Sequence, residues 1–224
     1  MLFEQQGELE KAVTHLKAAL EIDPENAVAH RYLGNALSAQ GKLQEAVRHY
    51  SESLRIQPAN ADVHYNLGVV FEDFGKTAEA SEQYSLALAG NPENADAHYN
   101  LANLLVRQQK YDRAVEQYKK ALAIQPDRIQ VLNNLAFAYA GMQDYEKAIS
   151  TLQQLARLQT DNSQIHYLVA SLYAKQNQVS DSIKWLETAF KRGFKNCDLI
   201  NTDPDFQNVR SSRDFHHLMR RHCN

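Results

Sequence analysis

Along most of the chain, apolar side chains return at steps of three and four, the spacing that places residues on one side of a helix. In the stretch Ala61–Asn94, His64, Leu67, Gly68 and Phe71 share one such side, and Ala80, Tyr84 and Ala87 share the side of a second helix. Glycine and proline punctuate the pattern. Gly41 predicts a turn between a first helix over about Ala27–Gln40 and a second over about Leu43–Ile56, which Pro58 stops. Pro24, Pro58, Pro92 and Pro126 then fall 34 residues apart, and a fixed period of that length marks an array of helical hairpins.

The period predicts whole units over 27–60, 61–94, 95–128, 129–162 and 163–196, with Thr160 and Phe194 at the proline position of the last two. Residues 1–26 match only the second half of a unit, through Ala12, Leu16, Ala19 and Pro24. They are predicted to be a truncated repeat, with further sequence expected upstream. Close helix approach is predicted at Gly34, Gly68, Ala102, Ala136 and Ala170, and again at Ala46, Ala80, Ala114, Ala148 and Ser182. Tyr50, Tyr84 and Tyr118, then Leu152 and Leu186, are expected to fill the gaps between hairpins. One hairpin cannot bury its apolar side alone, so neighbours must stack. The predicted fold is all-α, a right-handed α-solenoid of helix-turn-helix repeats. Residues 197–224 leave the period and are predicted to form capping helices. There Asp203 and Pro204 open one helix, Ser212 caps another, and Phe206, Val209, Phe215, Leu218 and Met219 face inward.

The positions His64, Leu67-Gly68, Phe71, Ala80, Tyr84, Ala87 and Pro92 resemble the tetratricopeptide repeat pattern, and the resemblance covers residues 2–196. His30, His64, His98 and His166 stand where that family usually has its first aromatic, a change of packing within the same fold. The resemblance implies that first helices line an inner groove. Family members of this kind are mostly non-catalytic scaffolds that bind an extended peptide or a partner helix.

Composition narrows the functional class. A formal net charge of −3 over 224 residues gives no global basic field, so nucleic acid is not an expected partner. No apolar run approaches the roughly 18 residues of a membrane helix, and no Asn-x-Ser/Thr acceptor occurs. Cys197 and Cys223 have no metal-ligand spacing; a reducing compartment is the default expectation, and a disulfide between the two within the tail stays open. No cofactor or metal is implied, and no compartment is specified.

On each first helix, steps of four, three and four mark the side turned away from the hairpin partner. Asp62, Asn66, Val69 and Asp73 hold it in one unit, Asp96, Asn100, Asn103 and Arg107 in the next, and Gln130, Asn134, Phe137 and Gly141 after that. Asn66, Asn100 and Asn134 keep one phase, although asparagine is a mediocre helix former. A carboxamide both donates and accepts, so a row of them suits the backbone of an extended peptide. This row resembles the asparagine ladder in the repeat region of O-linked N-acetylglucosamine transferases and of importin-type solenoids. Tyr65, Tyr99 and Tyr167 flank it, Asp62, Asp96 and Arg107 surround it, and Tyr32 and Leu168 end it. Arg31, Asn35 and Asn66 match three places of the carboxylate clamp of chaperone-binding relatives, but Asp96 and Asn100 replace its two further basic residues and would repel or lose an acidic tail.

Other signals fall away. Gly75-Lys76-Thr77 resembles the end of a phosphate-binding loop, yet Val70 stands where the loop needs glycine. The four repeated histidines are expected in the core, and no nucleophile or metal motif is present. The last residues are locally basic, with Lys191, Arg192, Lys195, Arg210, Arg213, Arg220 and Arg221 against four aspartates. The expected function is a peptide-binding interaction scaffold. The rivals are a substrate-recruiting arm of a larger enzyme, with glycosyltransferase as the family-level guess, and self-association through the truncated first repeat.

Overall fold

A computed structural model describes residues 2–223, with side chains from Gly7 onward. The fold is all-α. Helix α1 (Leu2–Ile22) precedes five hairpins: α2 (Ala27–Ala39) with α3 (Leu43–Ile56), α4 (Ala61–Asp73) with α5 (Thr77–Gly90), α6 (Ala95–Arg107) followed by α7 (Tyr111–Ile124), α8 (Ile129–Gly141) with α9 (Tyr145–Leu158), and α10 (Ser163–Lys175) with α11 (Val179–Lys191). Then come α12 (Cys197–Thr202), a 3-10 turn (Pro204–Phe206), α13 (Gln207–Arg210) and α14 (Arg213–His222). No strand occurs among the described residues. The chain divides into two compact units, Met1–Leu104 and Leu105–Asn224.

The first three hairpins start with the same local chemistry, and all five turn in the same way. Asn26, Asn60 and Asn94 precede α2, α4 and α6, and their side-chain oxygens accept from the backbone N–H of Ala29, Val63 and Ala97 at 2.9, 3.2 and 2.9 Å. This satisfies donors that a helix start leaves unpaired. Between the two helices of each hairpin, one residue takes a left-handed backbone. It is Gly41 and Gly75 in the first two hairpins, then Gln109, Gln143 and Asn177, with φ between 58 and 74°. The turn is therefore a property of the position, and glycine is only its least strained occupant.

In the first unit, α2 packs on α3 and α4 on α5 around Leu33, Leu37, Ala46, Tyr50, Val63 and Val70, all nearly or fully excluded from water. Tyr50 and Tyr84 lie flat against Gly34 and Gly68. A Cβ added at those glycines would sit 2.6 and 2.7 Å from the tyrosine Cε1 atoms. The hydroxyl of Ser53, wholly buried, donates to the Ala27 carbonyl at 2.9 Å and ties α3 to the start of α2.

In the second unit, α8–α9 and α10–α11 pair in the same way, and the C-terminal helices close over α10 and α11. Phe206, Val209 and Ile200 have no exposure, and Phe215, Leu218 and Met219 join the same cluster. Tyr167, expected to flank the groove, is instead buried here: it stacks on Phe194 at 4.8 Å and donates a hydrogen bond to Asp203, because the C-terminal helices cover that side of α10. Asp203 also caps the 3-10 turn, and Ser212 caps α14 by accepting from Phe215.

The state of Cys197 and Cys223, left open by the sequence, is a disulfide, with their Cα atoms 5.8 Å apart. α12, absent from the sequence reading, presents Cys197 beside the end of α14, because both helices rest on the cluster around Phe190 and Ile200. That shared support brings the two Cα atoms within bridging range.

Candidate functional site

The candidate face lies on the first helices of the first unit, α2, α4 and the start of α6. Its charged rim is self-compensated. Arg31 Nη1 donates to Asp62 Oδ2 at 2.8 Å, linking α2 to α4, and the guanidinium lies 4.6 Å from the centre of the Tyr32 ring. The Arg31 side chain is only 22% exposed and Asp62 is open to solvent. Arg31 is thus spoken for by a carboxylate, which further weakens any resemblance to a clamp for acidic tails.

Behind the rim runs a row of polar links between successive hairpins. Asn66 Nδ2 donates to Asn35 Oδ1 at 2.8 Å, and the same oxygen accepts from the Tyr50 hydroxyl at 2.8 Å. Asn100 Nδ2 donates to the Tyr84 hydroxyl at 3.3 Å and reaches the Tyr65 hydroxyl at 3.5 Å. Tyr84 in turn donates to Glu72 Oε2 at 3.1 Å, and the Tyr65 and Tyr84 rings meet at 5.9 Å. A buried phenol needs a polar partner at its tip, and the asparagines and Glu72 supply it. Burial holds the Tyr50 hydroxyl at a pKa of about 12. Burial, reinforced by Glu72, pushes that of Tyr84 well above the ordinary range. Both therefore stay protonated and keep donating.

This revises the picture of an open row of carboxamides. Asn66 and Asn100 are half-buried, and each spends an N–H inside the array. The carbonyl oxygen of each takes no hydrogen bond from a described residue, so the face still offers acceptors and part of each amide's donor capacity. The sequence reading missed the inward half of the arrangement. The signal for it was the tyrosine on each second helix, whose hydroxyl had to end somewhere.

The remaining residues fall on the same helices. On α6, Tyr99 and Asn103 are half-buried while Asp96 and Arg107 are exposed. Asn134 is half-buried on α8, and with Arg107 it belongs to the second unit. All five make interactions with neighbouring groups.

The second unit carries a cleft of different character. About 190 Å³ opens between α8 and α10, walled by Ala136, Phe137, Ala140, Leu168 and Leu172 over Leu152. Phe137 is 61% exposed there. Phe137 and Leu168 occupy positions that hold Asn35 and Asn103, and Asn66 and Asn100, in the first unit, although Val69 and Tyr32 also fall at them, so an apolar exchange at two such positions was the legible trace of this cleft.

The repeated histidines have a structural task. His30, His64 and His98 place Nε2 at 3.1, 2.9 and 3.0 Å from the carbonyl oxygens of Pro24, Pro58 and Pro92. Each imidazole donates to the proline that ended the preceding hairpin. His166, where Thr160 replaces proline, turns its Nδ1 to the Asn162 carbonyl at 3.2 Å. Among the described residues, no group of three or more His, Cys, Asp or Glu could hold a metal ion.

Comparisons with known proteins agree with this architecture. Family models described as TPR repeat match residues 2–41 and 34–75. Two described as tetratricopeptide repeat match 65–129 and 105–172. The curated proteins give no match. Among solved structures, YrrB, described as a TPR protein with an unusual peptide-binding site, aligns with a TM-score of 0.73 at 20% identity over 80% of this chain and 92% of its own. MamA of AMB-1 aligns with a TM-score of 0.68 at 21% identity over 80% and 99%. MamA from Desulfovibrio magneticus RS-1 gives 0.65 at 19% over 74% and 94%. At these identities the likeness is one of fold. With the 34-residue period, the hairpins at that period and four matching segments between residues 2 and 172, the chain is a tetratricopeptide repeat protein, an α-helical solenoid.

Proposed function

We propose that the protein is a non-catalytic interaction scaffold and that the first-helix face of its first unit captures an extended peptide through the peptide's backbone. The observation that carries this reading is the unspent carbonyl oxygen on both Asn66 and Asn100, each held in place by a hydrogen bond to the hairpin behind it. A carboxamide fixed in this way is pre-organised and costs little entropy on binding. Tyr65, Tyr99 and Asn103 border it, and the Arg31–Asp62 pair puts both signs of charge on the rim. In the second unit, taken by itself, the apolar cleft around Phe137 would take an apolar side chain. The likeness in fold to YrrB, described as having a peptide-binding site, supports the reading. In this reading residues 27–196 count as five repeats, 1–26 as a partial one and 197–224 as a cap.

The test is capture on an array of extended peptides of mixed sequence, probed with the chain and with Asn66→Ala, Asn100→Ala combined. Two hydrogen bonds to peptide backbone, each worth about 1 kcal/mol, predict at least a tenfold weaker capture with helicity unchanged by circular dichroism. Equal capture by the double variant would remove the groove from consideration.

A further inference from the structure

We infer that the C-terminal helices carry a second, separate binding site, a cationic cleft for an acidic extended peptide. Arg213, His216 and Arg220 follow one another at steps of three and four along α14, so they form a single stripe. Phe215, Leu218 and Met219 of α14 are buried, and Met219 also forms part of the wall beside the stripe. The stripe faces an open cleft of about 620 Å³ whose other walls are Asn201, Ser211 and the disulfide residue Cys223. Every polar residue on these walls is neutral or cationic.

Among the described residues, three nearby acids are engaged elsewhere. Asp205 pairs with Lys175 at 3.2 Å, Asp203 accepts from Tyr167, and Glu187 pairs with Lys191 at 2.9 Å and with Arg221 at 3.8 Å. Arg221 thus has its carboxylate on the far side of the same helix. Among the described residues, Arg213 and Arg220 have no carboxylate within ion-pair distance. Asp214 and Asp198 are exposed and lie outside the cleft walls.

Geometry selects the occupant. Seven residues of helix separate the two arginines, roughly 10 Å along the axis at about 1.5 Å per residue. A peptide in the extended polyproline II form has three residues per turn and advances about 3.1 Å per residue, so carboxylates three positions apart lie on one side at a matching spacing of roughly 9 Å. Each guanidinium fork can then grip one carboxylate in two-point fashion. Asn201 and Ser211 can serve the peptide backbone. No Phe, Tyr or Trp lines the cleft to stack a base, which favours peptide over a nucleic acid strand.

The experiment is fluorescence anisotropy on the full chain, using a labelled glycine–serine octapeptide with two glutamates three residues apart. Its glutamine counterpart and a labelled oligothymidine serve as comparison probes. Binding of the glutamate peptide, its weakening with added salt and a tenfold or greater loss in Arg213→Gln combined with Arg220→Gln are the expected results. Lys195→Gln removes one charge outside the cleft and is expected to leave binding unchanged. Equal binding of the glutamine peptide, an equal loss in Lys195→Gln, full binding by the double arginine variant, or tighter binding of oligothymidine would each overturn the proposal. The arginines are exposed, so circular dichroism is expected to show both variants folded. The Asn66 and Asn100 face plays no part in this test, so the two sites fail or stand independently.

Discussion

His49 shows how a single side chain can set a response to acidity. Its Nδ1 lies 3.0 Å from Nδ1 of His30, and the rings stack at 5.3 Å. His30 already donates through Nε2 to the Pro24 carbonyl. Its Nδ1 must therefore accept, and His49 supplies the proton. Burial lowers the His49 pKa below 6.5, and the facing His30 and then Lys17 push the same way, against Glu45 and Glu52. The unfolded chain consequently binds more protons in mildly acid solution than the folded one. The contribution of His49 to stability is complete above about pH 6.5 and fades as pH falls below it. Thermal melting at pH 7.5 and pH 5 is expected to show a lower midpoint at pH 5, and His49→Gln to reduce that difference. A pH dependence identical in the variant would refute the assignment. At this scale the sequence announced the recurring histidines and their burial. It could not show their acceptor, because a backbone carbonyl leaves no mark in the residue alphabet.

Helix pairs obey a volume rule along the chain. Where the second helix brings tyrosine, as at Tyr50 and Tyr84, the first helix has Gly34 or Gly68 against the ring. Where it brings leucine, as at Leu152 and Leu186, the matching first-helix positions are Ala136 and Ala170. Ala102 and Tyr118 combine the two habits. A methyl at Gly68 would press into a ring that has no exposure. Gly68→Ala is expected to cost about 1–3 kcal/mol in urea unfolding, the usual range for overpacking. Adding Tyr84→Leu should recover part of that cost, and strict additivity of the two changes would argue against direct contact as the cause. Close approach at these positions was legible from the period. The left-handed turns at Gln109, Gln143 and Asn177 were not, because those residues lack the glycine that gives the equivalent turns away at Gly41 and Gly75.

For the molecule as a whole, the repeat period made the array legible and the last helices obscure, since nothing in them repeats. The disulfide is the clearest case. Its cysteines are 26 positions apart, and only the packing of α12 and α14 on a common cluster relates them. Closing a loop of that length stabilises the folded state by roughly 3.5 kcal/mol in the chain-entropy account. Cys197→Ser with Cys223→Ser is expected to lower the stability of the second unit by about 2–4 kcal/mol, read from denaturant unfolding without reductant. A loss below 0.5 kcal/mol would show that the hydrophobic cluster suffices without the bridge. The histidine latches have a further consequence for how such a chain can be cut and rejoined. Each latch spans a junction, from the proline that ends one hairpin to the imidazole inside the next, with the capping asparagine between them. A splice made between hairpins would sever proline from histidine and strand both groups. A splice made in the turn inside a hairpin would carry proline, asparagine and histidine across as one cassette, so that turn is the natural seam for grafting or shortening the array.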